Sequence, residues 1–550
     1  MTNQYRIVLA ALIVLITVVA YLPSMRGGFV WDDGIYITGN PLVKARRTAS
    51  VLVHDRAFDY YPITWSLWWL EWRQWAEAAT GYHVVSVLLH ALNAVLVWLV
   101  LRQLDIPGAW FAAVVFGIHP VNVASVAWIS EQKNTLAMVF CLLAVLFYLR
   151  FDQEHDRVWY VFSLAAFILA LLSKSAVVLA CVWWVRRTVR VTDLLRTAPF
   201  FLLSLMFGLV TIWFQNNRVL RGHPTRSDSL MSRILGTGWA SWFYINKAIL
   251  PIKLTAIYPK WTIDTSRCLS YLPLLVLAAC FASFYLKRRS WGRPWLFAFG
   301  CFLIMLFPVL GFFDQSFYQY SLVADHWQYF SIAGVIALPM AGSVSVYRRS
   351  GKFRRYSICV FWASLMLLLG YAKWSRTHVY ANSEALWNDV ITKNPNAWSA
   401  HVNLGNAFLQ VGKIQDAVVE YEEALKIEPF LAEPHNNLGT ILVRSGQLAE
   451  GIAHYEQALR IKLDYPEAQN NLGLALMGAG EFDAAVQHLK AAIQLNANYG
   501  EARYNLAVIL ASQGKTDEAI SQLERAVEVE PDRQAFRTQL EALRRLKSSP

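Results

Sequence analysis

The chain has 550 residues, 56% of them hydrophobic and 16% charged, with a mean hydropathy of +0.33. That is too apolar for an ordinary soluble protein and too long for one domain. A net charge of +12 does not point to nucleic acid, because the basic residues stand in short clusters between apolar runs, such as Arg186-Arg187, Lys287-Arg288-Arg289 and Arg348-Arg349. Clusters of that kind mark cytoplasmic loops of membrane proteins.

A bilayer core takes about 20 apolar residues per helix. The apolar runs predict spans at 7–23, 82–101, 109–128, 134–150, 158–173, 175–187, 197–215, 229–250, 269–286, 295–313, 326–346 and 356–374. The first run is followed by Tyr21-Leu22-Pro23 rather than a small-residue cleavage site, so it reads as a retained helix. Parity then constrains the set. Between the basic clusters at 186–190 and 287–293 the number of crossings must be even, yet three candidates fall there. The run at 229–250 holds Arg233, Gly236, Gly238, Asn246 and Lys247 and ends at Pro251, so it is read as re-entrant or interfacial. About eleven crossings remain in a membrane domain over 1–378, with a long outer loop at 24–81 and a linker at 379–394. With the N-terminus inside, everything after the last span lies on the outer face, the periplasm if the membrane is a bacterial inner membrane. The six cysteines lie in or at the edge of apolar runs without a close pair, and no metal site or cofactor is called for.

Ionisable residues at membrane depth need a reason. Under this topology His83, His119, Glu131, Lys133, Lys174, Arg218, Arg221, Tyr258, Asp325 and His326 all fall at or near outer helix ends. The loop after the first span opens with Asp32 and Asp33, adjacent carboxylates that could act as base, metal ligand or ion pair, or form a solvated turn. His90 and Asn93, one turn apart inside a span, are read as bonds to neighbouring helices. No phosphate loop, HExxH, GxSxG or CxxC is present. Any enzyme here works with carboxylates and cations near the membrane plane. That suits a donor whose lipid tail stays in the bilayer while its phosphate meets Lys174, Arg218 or Arg221.

From 395 the chain turns polar and repeats every 34 residues: Asn403-Leu404-Gly405, Asn437-Leu438-Gly439, Asn471-Leu472-Gly473 and Asn505-Leu506-Ala507. Gly412, Gly446, Gly480 and Gly514 keep step, as do Ala424, Ala458, Ala492 and Ala526. This period predicts four tetratricopeptide repeats at 395–428, 429–462, 463–496 and 497–530, with a capping helix and tail over 531–550. Pro395, Pro429 and Pro531 are read as helix starts. Such a solenoid offers a concave face to a protein partner or acceptor.

The stretches FVWDDGIYITGNPLV, YYPITWSLWWLEW, GYHVVSVLLHALNAVLV, VFGIHPVNVASVAWISEQKN, LALLSKSAVV, ILPIKLTAIYPKW and ADHWQYFSIAGV resemble the transmembrane and tetratricopeptide repeat-containing (TMTC-like) O-mannosyltransferases and their bacterial relatives. The resemblance implies an all-α protein: a polytopic type-C (GT-C-like) glycosyltransferase domain followed by a tetratricopeptide α-solenoid. It further implies a polyprenyl-phosphate sugar donor, plausibly mannose, a protein Ser/Thr acceptor, and Asp32 and Asp33 as the acidic pair, with Asp32 the base. The chain departs from the family pattern at Tyr61-Pro62, where members carry Arg before Pro, and at His326-Trp327, where an ADRY-like stretch is expected. Two other readings stand beside this one: a non-catalytic membrane-anchored repeat scaffold, and a surface-polysaccharide ligase.

Overall fold

The computed structural model describes residues 3–44, 60–174, 191–220 and 225–548. All regular elements among them are helices, in two compact units, Met1–Pro395 and Asn396–Pro550. In the first unit seven helices are long and apolar enough to cross a membrane: Asn3–Arg26, Ala79–Gln103, Ile129–Glu154, Val191–Asn217, Cys268–Leu286, Gly292–Val309 and Lys352–Val379. An eighth is formed if Ala109–Ile118 and Pro120–Ala127, bent by 49°, make one span. Among the described residues, length and composition thus mark seven or eight of the eleven expected crossings. The run at 158–173 is the shorter apolar helix Arg157–Ser173, that at 326–346 begins only at Ile332, and 175–187 lies outside the described residues.

Among the seven long helices the most buried include Ala79–Gln103, whose His90 and Asn93 bond to neighbouring segments. The His90 ring bonds the Tyr329 hydroxyl at 2.7 Å and the Gly117 carbonyl at 3.1 Å, while Asn93 donates to the Thr135 carbonyl at 2.8 Å. Lys373, buried in the last span, donates to the same Gly117 carbonyl at 3.0 Å and sits 3.1 Å over the Tyr21 ring. Helix Leu230–Ile249 runs differently. Arg233 near its start pairs with Asp314 at 3.3 Å, and Tyr244 near its end accepts from the Ala324 N–H at 3.2 Å. Both ends are thus tied to the one interhelical segment 310–331.

Two segments depart from the sequence reading. Within the 24–81 loop, Pro62–Trp75 is an amphipathic helix that buries Trp65, Trp68 and Glu71. The expected linker at 379–394 contains helix Ser383–Lys393, with Leu386, Trp387 and Val390 in the core of the first unit.

The second unit has eight helices in four hairpins from Trp398–Gln410 to Thr516–Val529, closed by Gln534–Ser548, which buries Phe536, Leu540 and Leu543. Gly412, Gly446, Gly480 and Gly514 turn each hairpin at φ between 76° and 87°, a region costly for residues with a Cβ. Gly405 and Gly439 make room for the rings of Tyr421 and Tyr455, which a Cβ would approach to 2.7 and 2.8 Å. The prolines are not helix starts. Pro395, Pro429 and Pro531 each directly follow the C-cap of a helix, at Asn394, Glu428 and Glu530, where they stop it from continuing. Gly439→Val is expected to cost the repeat unit about 1–3 kcal/mol by overpacking, read as faster hydrogen exchange there and none in Met1–Pro395. Gly478→Ala, which meets only open space, is expected to leave exchange unchanged or slower.

Candidate active site

The site grows from a tight turn. After the 3-10 helix Leu22–Arg26, the chain crosses two glycines and turns at Val30–Asp33, the Asp33 N–H donating to the Val30 carbonyl at 3.1 Å. Trp31 takes φ 50°, the left-handed region that an aromatic side chain rarely occupies. Its ring lies flat on Trp128, with centroids 4.8 Å apart and planes 1° from parallel, and is met edge-on by Trp387 at 5.0 Å and Tyr320 at 5.9 Å.

Asp33 is wholly buried, and each of its oxygens accepts one backbone N–H, from Val30 at 2.9 Å and from Ser130 at 2.7 Å. Asp32 is partly exposed, and its carbonyl starts the π-helix Gly34–Thr38 by accepting from Ile35 and Tyr36. The two carboxylates thus differ in kind: that of Asp33 is buried and bonded to backbone, whereas Asp32 is only partly buried.

Beyond Ser130, Glu131 is the centre of a charged cluster. Lys133 pairs with it at 2.9 Å, Asn134 donates to it at 2.5 Å, and Lys174, at the end of helix Arg157–Ser173, donates to the Asn134 side chain. Lys133 also lies 5.4 Å over the Tyr36 ring. His326 packs edge-on against Trp128 at 5.6 Å, and burial pushes its imidazole down to about 4, so it is neutral at pH 7. Beside it Asp325 accepts from the Tyr258 hydroxyl at 2.8 Å; burial raises its carboxyl to about 6 against the lowering pull of Arg376.

Asp32, Asp33, Glu131, Lys133, Lys174 and His326 are therefore joined through one run of contacts, with Tyr258 and Asp325 adjoining. Two candidates lie apart from that run of contacts. His119 spends its ring on the Ala248 carbonyl at 3.2 Å and on the Val121 N–H at 3.4 Å, bracing the bend between two short helices. His83 is buried against Gly27, where a Cβ would come within 2.9 Å of its ring. Arg221 and the side chain of Arg218 lie outside the described residues. Among the described residues no group of three or more His, Cys, Asp or Glu is arranged to hold a metal ion.

Sequence reasoning passed over Trp31, Trp128, Trp387 and a further buried acid, Glu71. Glu71 accepts from Gln132 at 2.8 Å, Gln132 in turn accepts from the Trp68 indole at 2.9 Å, and burial lifts the Glu71 carboxyl to about 8. The spacing of Trp65, Trp68, Trp69 and Trp72 was the available signal, since it is that of one helical face.

Comparison with known proteins bears on this arrangement. Tetratricopeptide-repeat models match residues 405–446, 439–480 and 476–543. A protein O-mannosyl-transferase of Caenorhabditis elegans is 21% identical over 454 residues, covering 76% of this chain and 62% of that protein. A protein O-mannosyl-transferase of Drosophila melanogaster is 28% identical over 176 residues, 30% of this chain and 20% of its own length. The chain resembles the TMTC-type O-mannosyltransferases. It spans less than two thirds of the length of these two relatives. Among solved structures, the crystal structure of MamA matches 26% of this chain and 85% of that chain at 22% identity, with a TM-score of 0.25. That of YrrB, described as a TPR protein with an unusual peptide-binding site, matches 28% and 81% at 22% identity, also with a TM-score of 0.25.

Burial raises the Asp33 carboxyl from the ordinary 3.8 to about 7, opposed by the N–H groups of Val30 and Ser130 and assisted by the charge of Asp32. Because the folded value is the higher, the stabilisation linked to Asp33 is complete below about pH 4 and is lost as pH rises through 7. The thermal midpoint of the wild-type chain is expected to fall between pH 6 and pH 8, and Asp33→Asn to fall less. Equal falls would contradict the assignment.

Proposed function

We propose that this chain is a membrane glycosyltransferase that moves one sugar, plausibly mannose, from a polyprenyl phosphate to a Ser or Thr hydroxyl of a protein acceptor. The observation that carries the reading is the junction of the partly exposed Asp32 with a cationic cluster, Lys133 and Lys174, through the Asp33–Ser130 bridge. Asp32 takes the hydroxyl proton, the freed oxygen attacks the anomeric carbon, and the bond from that carbon to the phosphate oxygen breaks. One displacement inverts the anomeric configuration. Lys174 and Lys133 neutralise the departing lipid phosphate, whose prenyl tail stays among the spans. Asp33 holds the turn and takes no proton from the acceptor.

The names of the relatives support the mannosyl reading. The basic clusters at 287–293 and 348–355, read as cytoplasmic, support reaction and repeats on the outer face, the periplasm if the membrane is a bacterial inner membrane, where the repeats hold the acceptor or a partner. The test is transfer of label from radioactive polyprenyl-phosphate mannose to membrane protein at matched expression. Asp32→Asn is expected to reduce transfer by at least about 100-fold, and Lys174→Ala to raise the donor KM roughly tenfold, the worth of one charge-assisted bond. Undiminished transfer by Asp32→Asn would remove it as the base.

A further inference from the structure

Helix Ser383–Lys393 keeps the 34-residue step of the solenoid although it belongs to the membrane unit. Trp387 falls in register with Tyr421, Tyr455, Leu489 and Leu523, and Val390 with Ala424, Ala458, Ala492 and Ala526. Pro395 follows its C-cap as Pro429 and Pro531 follow theirs. By sequence this is the second helix of a repeat. In the first two full repeats, the register position of Trp387 holds a ring seated in a notch left by glycine on the preceding helix, Gly405 for Tyr421 and Gly439 for Tyr455. The residue at that step before Trp387 is Tyr371, which is 72% exposed and offers no notch. Trp387 is nonetheless only 1% exposed, and its ring meets that of Trp31 at 5.0 Å.

We propose that this unpaired repeat helix serves the membrane unit as a brace, and that Trp387 is a positioning residue that holds Trp31, and through it the Asp32–Asp33 turn, in the reactive arrangement. Trp31 sits between Val30 and Asp32 at φ 50°, a conformation kept by its surroundings rather than by its own preference. Trp128 covers one face of its ring and Trp387 abuts it at right angles. Removal of Trp387 frees Trp31 to return to an ordinary backbone conformation, which turns the next residue, Asp32, away from the acceptor. The helix does not depend on Trp387 for its own place: Asn382 caps its start, Asp389 pairs with Arg376 at 2.5 Å, and Lys393 donates to the Leu254 carbonyl at 2.8 Å.

The inference rests on the transferase reading for its kinetic consequence, but its structural consequence is separate. In the full chain in nanodiscs, Trp387→Ala is expected to lower kcat by about 10- to 100-fold with donor KM changed less than about twofold. Trp387→Phe should recover most of the loss, and Asn388→Ala, on the exposed side of the same helix, should leave both constants unchanged. Hydrogen exchange over 30–36 is expected to quicken in Trp387→Ala while that over 62–75 does not. If Asp32→Asn abolishes transfer and Trp387→Ala leaves kcat intact, the brace is wrong and the transferase reading stands. If the wild type transfers nothing, that reading fails, and exchange over 30–36 decides the brace alone: unchanged protection in Trp387→Ala and Trp387→Phe overturns it.

Discussion

Asp33 accepts the N–H of Val30 with one oxygen and the N–H of Ser130 with the other, and these bonds fasten the loop after the first span to the turn that begins helix Gln132–Glu154. A buried carboxylate is costly unless its oxygens are satisfied, and here the satisfaction comes from two segments 97 residues apart. Either segment alone would leave one oxygen without a donor. The carboxylate therefore acts as a joint, and its position fixes that of its neighbours: Asp32 one residue before, Glu131 one residue after Ser130, and through Glu131 the ammonium groups of Lys133 and Lys174.

Around this joint aromatic rings pack on Trp31, the residue between Val30 and Asp32. Trp31, Trp128 and Trp387 bring three distant parts of the membrane unit to one point. The neutral His326 is packed against the same cluster. On the proposed reading, this neutral ring stands where the family resemblance implies a cation, and the lysines of the Glu131 cluster are the groups proposed to meet the phosphate.

Much of this was legible in the sequence, for identifiable reasons. Adjacent aspartates directly after a span, and Glu131, Lys133 and Lys174 near span ends, are ionisable residues where desolvation makes them expensive, so their presence alone marks them. The repeats were legible because glycine, alanine and asparagine positions recur in one phase. What stayed hidden depends on partners distant in sequence. Nothing local says that Trp31 lies on Trp128, or that His119 and His83 serve backbone packing while Lys174 reaches the cluster. The tryptophan face of Pro62–Trp75 was present but lay within a stretch read as loop. Ser383–Lys393 was read as linker because the repeat was counted from its first-helix motif, which this half repeat lacks; the proline after its C-cap was the remaining clue.

The most direct test of the central claim, that the Asp33-bridged turn and the Glu131 cluster form the donor site, is photo-crosslinking with a diazirine-bearing polyprenyl-phosphate sugar and mapping of the modified peptides in the full-length chain. Label concentrated on peptides spanning 30–36 and 128–134, and displaced by unlabelled donor, is the expected result. Label confined to the basic ends near 287–293 and 348–355, or label that unlabelled donor does not displace, would contradict it.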